Sequence, residues 1–386
     1  MAYGKVTVTQ KDNNGGGITE VERVVLWIGE ADGLYTGQLY TVNAQTDFDD
    51  LLGPEDSDLK ANLVACQLNA GPNFTAYVFP IMEGGEGQYT WDQALLKVIE
   101  DPRGIGFEMV ALTNTPYNSM EVRSYQDICD SVLNFAQMYI TVHAATPGLD
   151  MQAEDSWDDF YDKALGLQNG VVAPRVHLVP QIDGNNLGVV IGRLINDQFS
   201  IADSPMRVAS GPVKGLGLME DGVLIERPED VTGEIAESAM LEDLSNNRLS
   251  VPQTYLGKRG TYWGDHMSLA DEGSDFQVYE NIRVLDYLTR RVRLLAINKI
   301  ADREFNSTAS SIDAHQGYFM KPILDASKDT VFKDRTIPGI CQKPVDGDIV
   351  ITWVSTTQVQ IYMMVAPVNS PKKIGVNISL DLNRLG

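Results

Sequence analysis

Between residues 21 and 200, short apolar segments alternate with segments that have helical patterns. The apolar segments predict buried strands over 21–29, 74–81, 107–112, 139–145 and 175–181. The intervening segments predict helices over 46–52, 57–69, 91–100, 119–137, 157–167 and 186–195. Helices of this length between strands favour right-handed βαβ units and a mainly parallel sheet. This half of the chain is therefore predicted to be an α/β domain.

The longest stretch without glycine or proline is 274–316, and its first 33 residues predict one helix, 274–306. Ser274 and Gln277 have the spacing of a capping box. One broad face is apolar, and Arg283, Arg290 and Arg293 gather on the opposite face. Because the whole chain carries a net charge of −23, this helix is a positive region in an acidic protein. It is either a core helix with a solvated charged face or a helix that contacts a partner.

Both ends of the chain have the alternating pattern of a β-strand. The first, KVTVTQ, places Val6 and Val8 on one side and is followed by the flexible sequence NNGGG. The last strand pattern, over 374–382, alternates without a fault; its apolar positions are Ile374, Val376, Ile378, Leu380 and Leu382. Such a segment is either an edge strand of its own domain or a strand donated to a neighbour's sheet. Strand-like arms at both ends favour donation.

Composition narrows the class of protein. A chain of 386 residues predicts two domains, and three scattered cysteines fit a reducing compartment. The sequence contains neither a signal-peptide pattern nor 18 consecutive apolar residues, so we expect no membrane insertion. A charge of −23 repels nucleic acid, which we therefore do not expect as a partner.

Motifs for catalysis or cofactor binding are absent from the sequence. It has no phosphate-binding P-loop, no G-x-S-x-G elbow and no complete dinucleotide fingerprint. The four histidines are isolated from one another along the chain, which favours packing roles over metal ligation. We therefore predict no catalytic, cofactor-binding or metal site, and a structural protein rather than an enzyme.

Four segments of the second half carry a resemblance to a known family. They are IADSPMRVASGP (201–212), YLGKRGTYWGDHMSLA (255–270), SDFQVYENIRVLDYLTRRVR (274–293) and KKIGVNISLDL (372–382). Together they resemble the contractile tail sheath proteins of myovirus-type bacteriophages and related contractile injection systems. His266 and Met267 stand where sheath sequences often carry a basic residue and a threonine.

The resemblance implies a structural subunit that polymerises around a tail tube and contracts to drive it through the target cell envelope, without a cofactor. The implied partners are further copies in a helical stack of hexameric rings, the tail tube protein, and the baseplate and tail terminator proteins. The implied location is the virion tail, after assembly in the host cytoplasm. In such proteins the long helix faces the tube, which here implies contact through Arg283, Arg290 and Arg293, and the terminal strands join neighbouring subunits.

The predicted fold is α/β in its first half and α+β overall, in four parts. These are an N-terminal arm (1–20), an outer α/β domain (21–215), an inner sheath-like domain (216–369) with the helix 274–306, and a C-terminal strand arm (370–386). Two alternatives remain from the sequence. One is another tail component, of the tube or baseplate, and the other is an α/β enzyme with an unrecognised site.

Overall fold

The computed structural model describes residues 21–31, 36–82, 89–220, 223–225, 227–332 and 335–379. The predicted N-terminal arm with Val6 and Val8 lies outside the described residues, as do Leu380 and Leu382 of the predicted C-terminal arm. Among the described helices, none combines the length and the apolarity needed to cross a membrane.

A six-stranded sheet forms the centre of the first half, in the order β2-β3-β1-β4-β5-β6. Its strands are β1 (Val25–Glu30), β2 (Tyr40–Asn43), β3 (Thr75–Ile81), β4 (Met109–Leu112), β5 (Thr141–Thr146) and β6 (Val176–Pro180). All neighbours pair in parallel except β2, which is antiparallel to β3. The predicted α/β fold is thus confirmed. Strand β2 is not predicted, because its four residues (YTVN) are too few to show a period.

Helices cover both faces of this sheet. On one face lie α1 (Phe48–Leu52), α2 (Asp58–Ala70) and α6 (Asn186–Ile195), and on the other lie α3 (Trp91–Ile99), α4 (Ser119–Ala136) and α5 (Trp157–Gln168). Successive side chains of a strand point to opposite faces, so Leu26 and Ile28 enter one core while Val25 and Trp27 enter the other. Because both faces of the sheet are buried, the strands are continuous apolar runs in the sequence.

Two glycines allow α6 to lie directly against α2. A Cβ atom on Gly192 would lie 2.5 Å from the carbonyl oxygen of Cys66, and one on Gly188 would lie 2.0 Å from that of Asn62. The backbone N–H of Gly188 also donates to the Asn62 side chain at 2.7 Å. The two helices therefore approach at a distance that only glycine permits.

The segment after residue 215 continues the α/β part and does not begin a new domain. It contains β7 (Leu218–Glu220), β8 (Val223–Ile225), α7 (Ser238–Asn246), β9 (Pro252–Gln253) and β10 (Tyr262–Trp263). Leu244, Leu249 and Leu269 pack in the same core as α5, and Leu249 forms a bridge with Leu178 of β6. The predicted boundary between 215 and 216 therefore does not coincide with a division between hydrophobic cores.

A third core begins at the next helix. It is built from α8 (Tyr279–Ile297), α9 (Ala309–Ala326) and the hairpin of β13 (Ile349–Trp353) with β14 (Val359–Met363). A second hairpin, β11 (Thr330–Phe332) with β12 (Arg335–Ile337), follows α9 in the chain. Tyr279 and Ile282 pack with the sheet, whereas Val284 and Leu288 pack with Phe319 of α9. Helix α8 therefore belongs to both halves of the chain.

The predicted helix 274–306 is shorter in the structure. Val278 is extended and pairs with Met267, so α8 starts only at Tyr279. Ser274 caps a short 3₁₀ turn at Asp275–Gln277 by accepting from the N–H of Phe276. After Ile297 the chain turns, and Ala301 adopts a left-handed φ of 60°. Helices α7 and α9 are not predicted from the sequence, and Pro322 lies inside α9.

We expect Gly192→Ala to lower the free energy of unfolding by about 1–3 kcal/mol, because the new methyl group collides with backbone that cannot move aside. Gly166→Ala is the matched control in α5, where an added Cβ meets nothing within 4 Å. The control should gain about 0.5–1 kcal/mol from better helix propensity. Urea denaturation of both variants measures the difference. Equal stability of Gly192→Ala and the parent chain would contradict the close packing of α2 and α6.

Candidate functional site

Helix α8 carries the three arginines predicted to face a partner, and the structure pairs two of them with carboxylates of the same subunit. Arg283 is 3 % exposed, and its Nη2 lies 2.5 Å from Oε1 of Glu108. Arg290 forms an ion pair with Glu22 at 3.0 Å and lies 3.8 Å from Glu108. Arg293 is partly exposed and forms no ion pair with any described residue. The expected face of three arginines is therefore corrected: Arg283 and Arg290 are paired inside the subunit, and Arg293 remains as the candidate for a partner contact.

The charged residues that pair with α8 lie where parallel strands begin. Glu22 precedes β1, Glu108 precedes β4, and Arg175 precedes β6. Arg175 holds Asp286 of α8 with two hydrogen bonds, of 2.8 and 2.9 Å. Because the amino ends of parallel strands meet at one edge, α8 lies along that edge and is fixed to it at three strands.

Burial makes these ion pairs sensitive to the loss of one partner. Burial lowers the pKa of Arg283, but the charge of Glu108 outweighs it, so the pKa lies above its ordinary value. The same balance, with Asp286 as the partner, raises the pKa of Arg175. Removing one member of a buried pair costs about 3–5 kcal/mol, because the other charge is left without compensation. These contacts therefore fix the position of α8.

A prediction about pH follows from Glu22. Burial raises the pKa of its carboxyl, but Arg290 and Arg291 outweigh burial and hold the pKa below its usual value of 4.5. A carboxyl that is more acidic in the folded state stabilises the fold above its unfolded pKa and loses this effect as the pH falls through the folded pKa. Glu22→Gln should therefore destabilise the chain at pH 7, and the difference should shrink as the pH falls below 4.5.

Urea denaturation of the parent chain and of Glu22→Gln measures this difference, from about pH 7 down to about pH 3, a range that spans the ordinary carboxyl pKa of about 4. Asp56→Asn is the control, since the Asp56 side chain is fully exposed. The control should change stability little at any pH. A Glu22→Gln effect that is constant across the range would contradict the ion-pair assignment.

Three histidines lie together beside the first turn of α8. His143 of β5, His177 of β6 and His266, which follows β10, are fully buried. Their ring centroids are 4.6–5.0 Å apart and their planes differ by 9–14°. These three histidines are isolated from one another along the chain, but the fold brings them together. His315 lies elsewhere, on α9, and stacks on Phe305.

A signal for part of this cluster is present in the sequence. His143 and His177 are direct neighbours in the register of β5 and β6. The two residues face each other across adjacent parallel strands. A prediction of the sheet that included its register would therefore bring them together. His266 has no such signal, because its position depends on the bridge between Met267 and Val278.

Backbone carbonyls determine the tautomers of two rings, because a carbonyl oxygen only accepts. His177 Nδ1 donates to the carbonyl of Met267 at 3.0 Å, which leaves Nε2 as a buried acceptor without a partner among the described residues. Ser250 Oγ donates to the carbonyl of Asp265 at 3.2 Å. Because its one hydrogen is used in that bond, the Ser250 oxygen accepts from His266 Nδ1, at 2.7 Å.

The third ring completes a directed chain of hydrogen bonds. His143 Nδ1 donates to His266 Nε2 at 2.9 Å, and His143 Nε2 accepts from the Thr141 hydroxyl at 3.0 Å. The Tyr279 hydroxyl lies 3.2 Å from the Thr141 oxygen and donates to it. Burial lowers the pKa of His177 to about 3, and burial with the neighbouring rings lowers the pKa values of His143 and His266 well below 6.5. All three imidazoles are therefore neutral at pH 7.

A cavity of about 290 Å³ lies at the opposite, carboxyl-terminal edge of the sheet. Its lining includes Asp58, Thr113, Gln181 and Asp183. Enzymes with open parallel sheets bind ligands at this edge. The described lining contains carboxylates, amides and hydroxyls but no histidine, cysteine or lysine, so it lacks the usual groups of a base-activated nucleophile.

The C-terminal segment leaves the subunit after a fixed point. Lys372 Nζ lies 2.6 Å from Oδ1 of Asp265 and 3.3 Å from Oε2 of Glu280. Beyond it, Ile374, Val376 and Ile378 are 75 %, 75 % and 92 % exposed. Residues 374–379 form no backbone hydrogen bond with another described part of the chain. Apolar side chains in strict alternation are thus left without a packing surface.

The hairpin β13–β14 has the complementary feature. It is a two-stranded sheet among the described residues, so its outer edges carry backbone groups that no described strand pairs with. Ile349 and Ile351 of β13 face the third core, and the alternate residue Val350 faces outward. The hairpin is therefore a half-covered sheet with room for further strands.

Two family models match the chain, described as "DUF2586, N-terminal domain" over residues 3–267 and "DUF2586, C-terminal domain" over 275–383. Their junction falls just before α8, later than the predicted boundary at 215. A curated protein from Haemophilus phage HP1 (strain HP1c1), described as "Putative tail sheath protein", is 37 % identical to this chain over 390 residues. The match covers 100 % of this chain and 100 % of that protein.

Solved structures of low identity share the fold. A cryo-EM structure of the anti-feeding prophage baseplate, 6-fold symmetrised, has a TM-score of 0.56 at 12 % identity over 99 % of this chain and 100 % of the other. The sheath tail protein of Desulfitobacterium hafniense has a TM-score of 0.52 at 12 % identity, over 98 % and 100 %. That of Listeria innocua has a TM-score of 0.53 at 11 % identity, over 90 % and 93 %.

Proposed function

Since the chain belongs to the DUF2586 family, we propose that it is the structural subunit of a phage tail sheath and not an enzyme. The observation that carries this proposal is the match to a tail sheath relative along the whole of both chains, at 37 % identity. The shared fold of the two sheath tail proteins agrees with it. The subunit is accordingly a component of the virion tail.

The finer proposal concerns assembly. Copies of the chain stack as hexameric rings around a tail tube, between a baseplate and a tail terminator, and the stack contracts to drive the tube through the target cell envelope. The 6-fold symmetry of the anti-feeding prophage structure supports a ring of six. Assembly takes place in the host cytoplasm, before the tail is complete.

Terminal strands connect the copies in this proposal. The segment from Ile374 onward pairs with the free edge of the hairpin β13–β14 in another subunit. Support comes from the exposure of Ile374, Val376 and Ile378, and from the unpaired edges of that hairpin. Each apolar side chain contributes about 1.5–3 kcal/mol when fully buried, so the apolar face matters as much as the backbone ladder. Leu380 and Leu382 extend the same face, and Val6 and Val8 form the second arm.

The first test removes the arm but keeps its anchor. A chain that ends at Lys373 retains the Lys372 contacts with Asp265 and Glu280. It should melt at the same temperature as the parent chain but fail to polymerise, because the described residues that it loses, 374–379, are exposed. Sedimentation and negative-stain microscopy measure polymer, and calorimetry measures melting.

A pair of point variants makes this test sharper. Ile378→Asp should block polymerisation, whereas Asn377→Asp adds the same charge on the opposite face of the strand and should be tolerated. Polymers formed equally by Ile378→Asp would exclude the strand-exchange proposal. Unfolding of the shortened chain would show that the strand stabilises its own subunit.

The tube contact of α8 is proposed through Arg293, the one arginine of the predicted three that is not held inside the subunit. Arg293→Glu should reduce assembly on purified tubes without changing stability, whereas Arg293→Lys should assemble normally. One exposed pair is worth about 0–1 kcal/mol, but it is repeated in every subunit. Co-sedimentation with tubes measures assembly. Arg283→Glu should instead unfold the chain, and normal assembly of Arg293→Glu would exclude a charge contact at this position.

A further inference from the structure

We propose that His143, His177 and His266 form a binding site for one divalent transition-metal ion. One nitrogen of each ring lies within 4.8 Å of one nitrogen of each of the others, and all three side chains are fully buried. The three come from different segments: β5, β6 and the segment that leads into α8. An ion bound here would join those three segments at a single point.

Each ring keeps one nitrogen outside the cluster, on a protein oxygen. These outer contacts are His177 Nδ1 with the Met267 carbonyl, His266 Nδ1 with Ser250 Oγ, and His143 Nε2 with Thr141 Oγ1. Metal-ligating histidines are oriented in this way, with the second ring nitrogen held by an oxygen. The remaining nitrogens are His177 Nε2, His266 Nε2 and His143 Nδ1, and they are the ones available for an ion.

The unpartnered Nε2 of His177 points to a missing ligand. It is a buried acceptor without a hydrogen bond among the described residues, in a core where Thr141, Tyr279 and the other two histidines are all bonded. A buried polar atom without a partner is costly. A metal ion would satisfy it, since a neutral imidazole is the form that binds metals.

Binding needs one internal proton transfer and a small opening. In the metal-free chain His143 Nδ1 donates to His266 Nε2 at 2.9 Å, so the His143 proton must move to Nε2. The Thr141 hydroxyl then accepts from Nε2 and donates to the Glu108 carbonyl, which lies 3.4 Å away. No proton is released in total. Ligand nitrogens about 2.0–2.1 Å from a tetrahedral ion lie about 3.3 Å apart, so the His143 and His266 nitrogens, now 2.9 Å apart, must separate by a few tenths of an ångström and the rings must tilt.

The ligand set selects the type of ion. Imidazole nitrogens suit Zn²⁺, Co²⁺, Ni²⁺ and Cu²⁺, whereas Ca²⁺ and Mg²⁺ require oxygen ligands. Two cations lie near the rings and each is neutralised by carboxylates. Arg283 is paired with Glu108, and Lys372 is paired with Asp265 and Glu280. Lys372 has two carboxylate partners, which leaves one negative charge in excess next to His266.

The experiment uses the full chain, stripped of metal with a chelator and then incubated with Zn²⁺, Co²⁺ or Ni²⁺ and dialysed. We expect about one ion per chain by elemental analysis, a higher melting temperature, and visible absorption from nitrogen-ligated Co²⁺. His177→Gln should lose the ion and the shift in melting temperature. His315→Gln is the matched control, because His315 lies on α9 outside the cluster.

Two results would overturn the proposal. One is a parent chain that retains no ion and shows neither absorption nor a melting shift. The other is a His177→Gln chain that binds as much metal as His315→Gln. If His177→Gln does not fold, the Co²⁺ spectrum of the parent chain decides alone, because it reports nitrogen ligation directly.

Discussion

The ion pair between Glu108 and Arg283 joins the sheet to the C-terminal core. Arg283 lies on α8, and the neighbouring residues Val284 and Leu288 belong to the core of the last hundred residues. Glu108 lies just before β4, which is an inner strand of the sheet between β1 and β5. Because a buried charge without its partner is costly, α8 cannot slide along the edge of the sheet without losing stability. The direction in which the C-terminal part leaves the α/β part is therefore determined by a few charged atoms.

This arrangement differs from a chain of domains connected by a flexible linker. One helix supplies apolar side chains to two cores, through Tyr279 and Ile282 on one side and Val284 and Leu288 on the other. The family models divide the chain just before this helix, between residues 267 and 275. The two family models therefore meet at a place where the packing of the structure continues without a break. A force applied to the C-terminal part would reach the sheet through α8.

Local patterns were sufficient to predict the α/β part and insufficient for its contacts. Apolar runs and helical periods identify β1, β3, β4, β5 and β6 because both faces of the sheet are covered. The start of α8 depends on Val278, whose extended backbone results from pairing with Met267 and not from its own neighbours. Arg283 and Glu108 are 175 residues apart, and His143 and His266 are 123 apart. No short window of sequence contains either pair, so arginines that look exposed and histidines that look isolated are placed incorrectly.

The anchor at Lys372 sets a mechanical limit. An extended chain spans about 3.3 Å per residue, so each arm residue that is not paired in a neighbour's sheet adds about that distance to the reach of the arm. If the arms exchange as proposed, this unpaired length limits how far two neighbours can separate before a strand is pulled from its sheet. A rearrangement with larger steps would then have to rotate the subunits about their anchors.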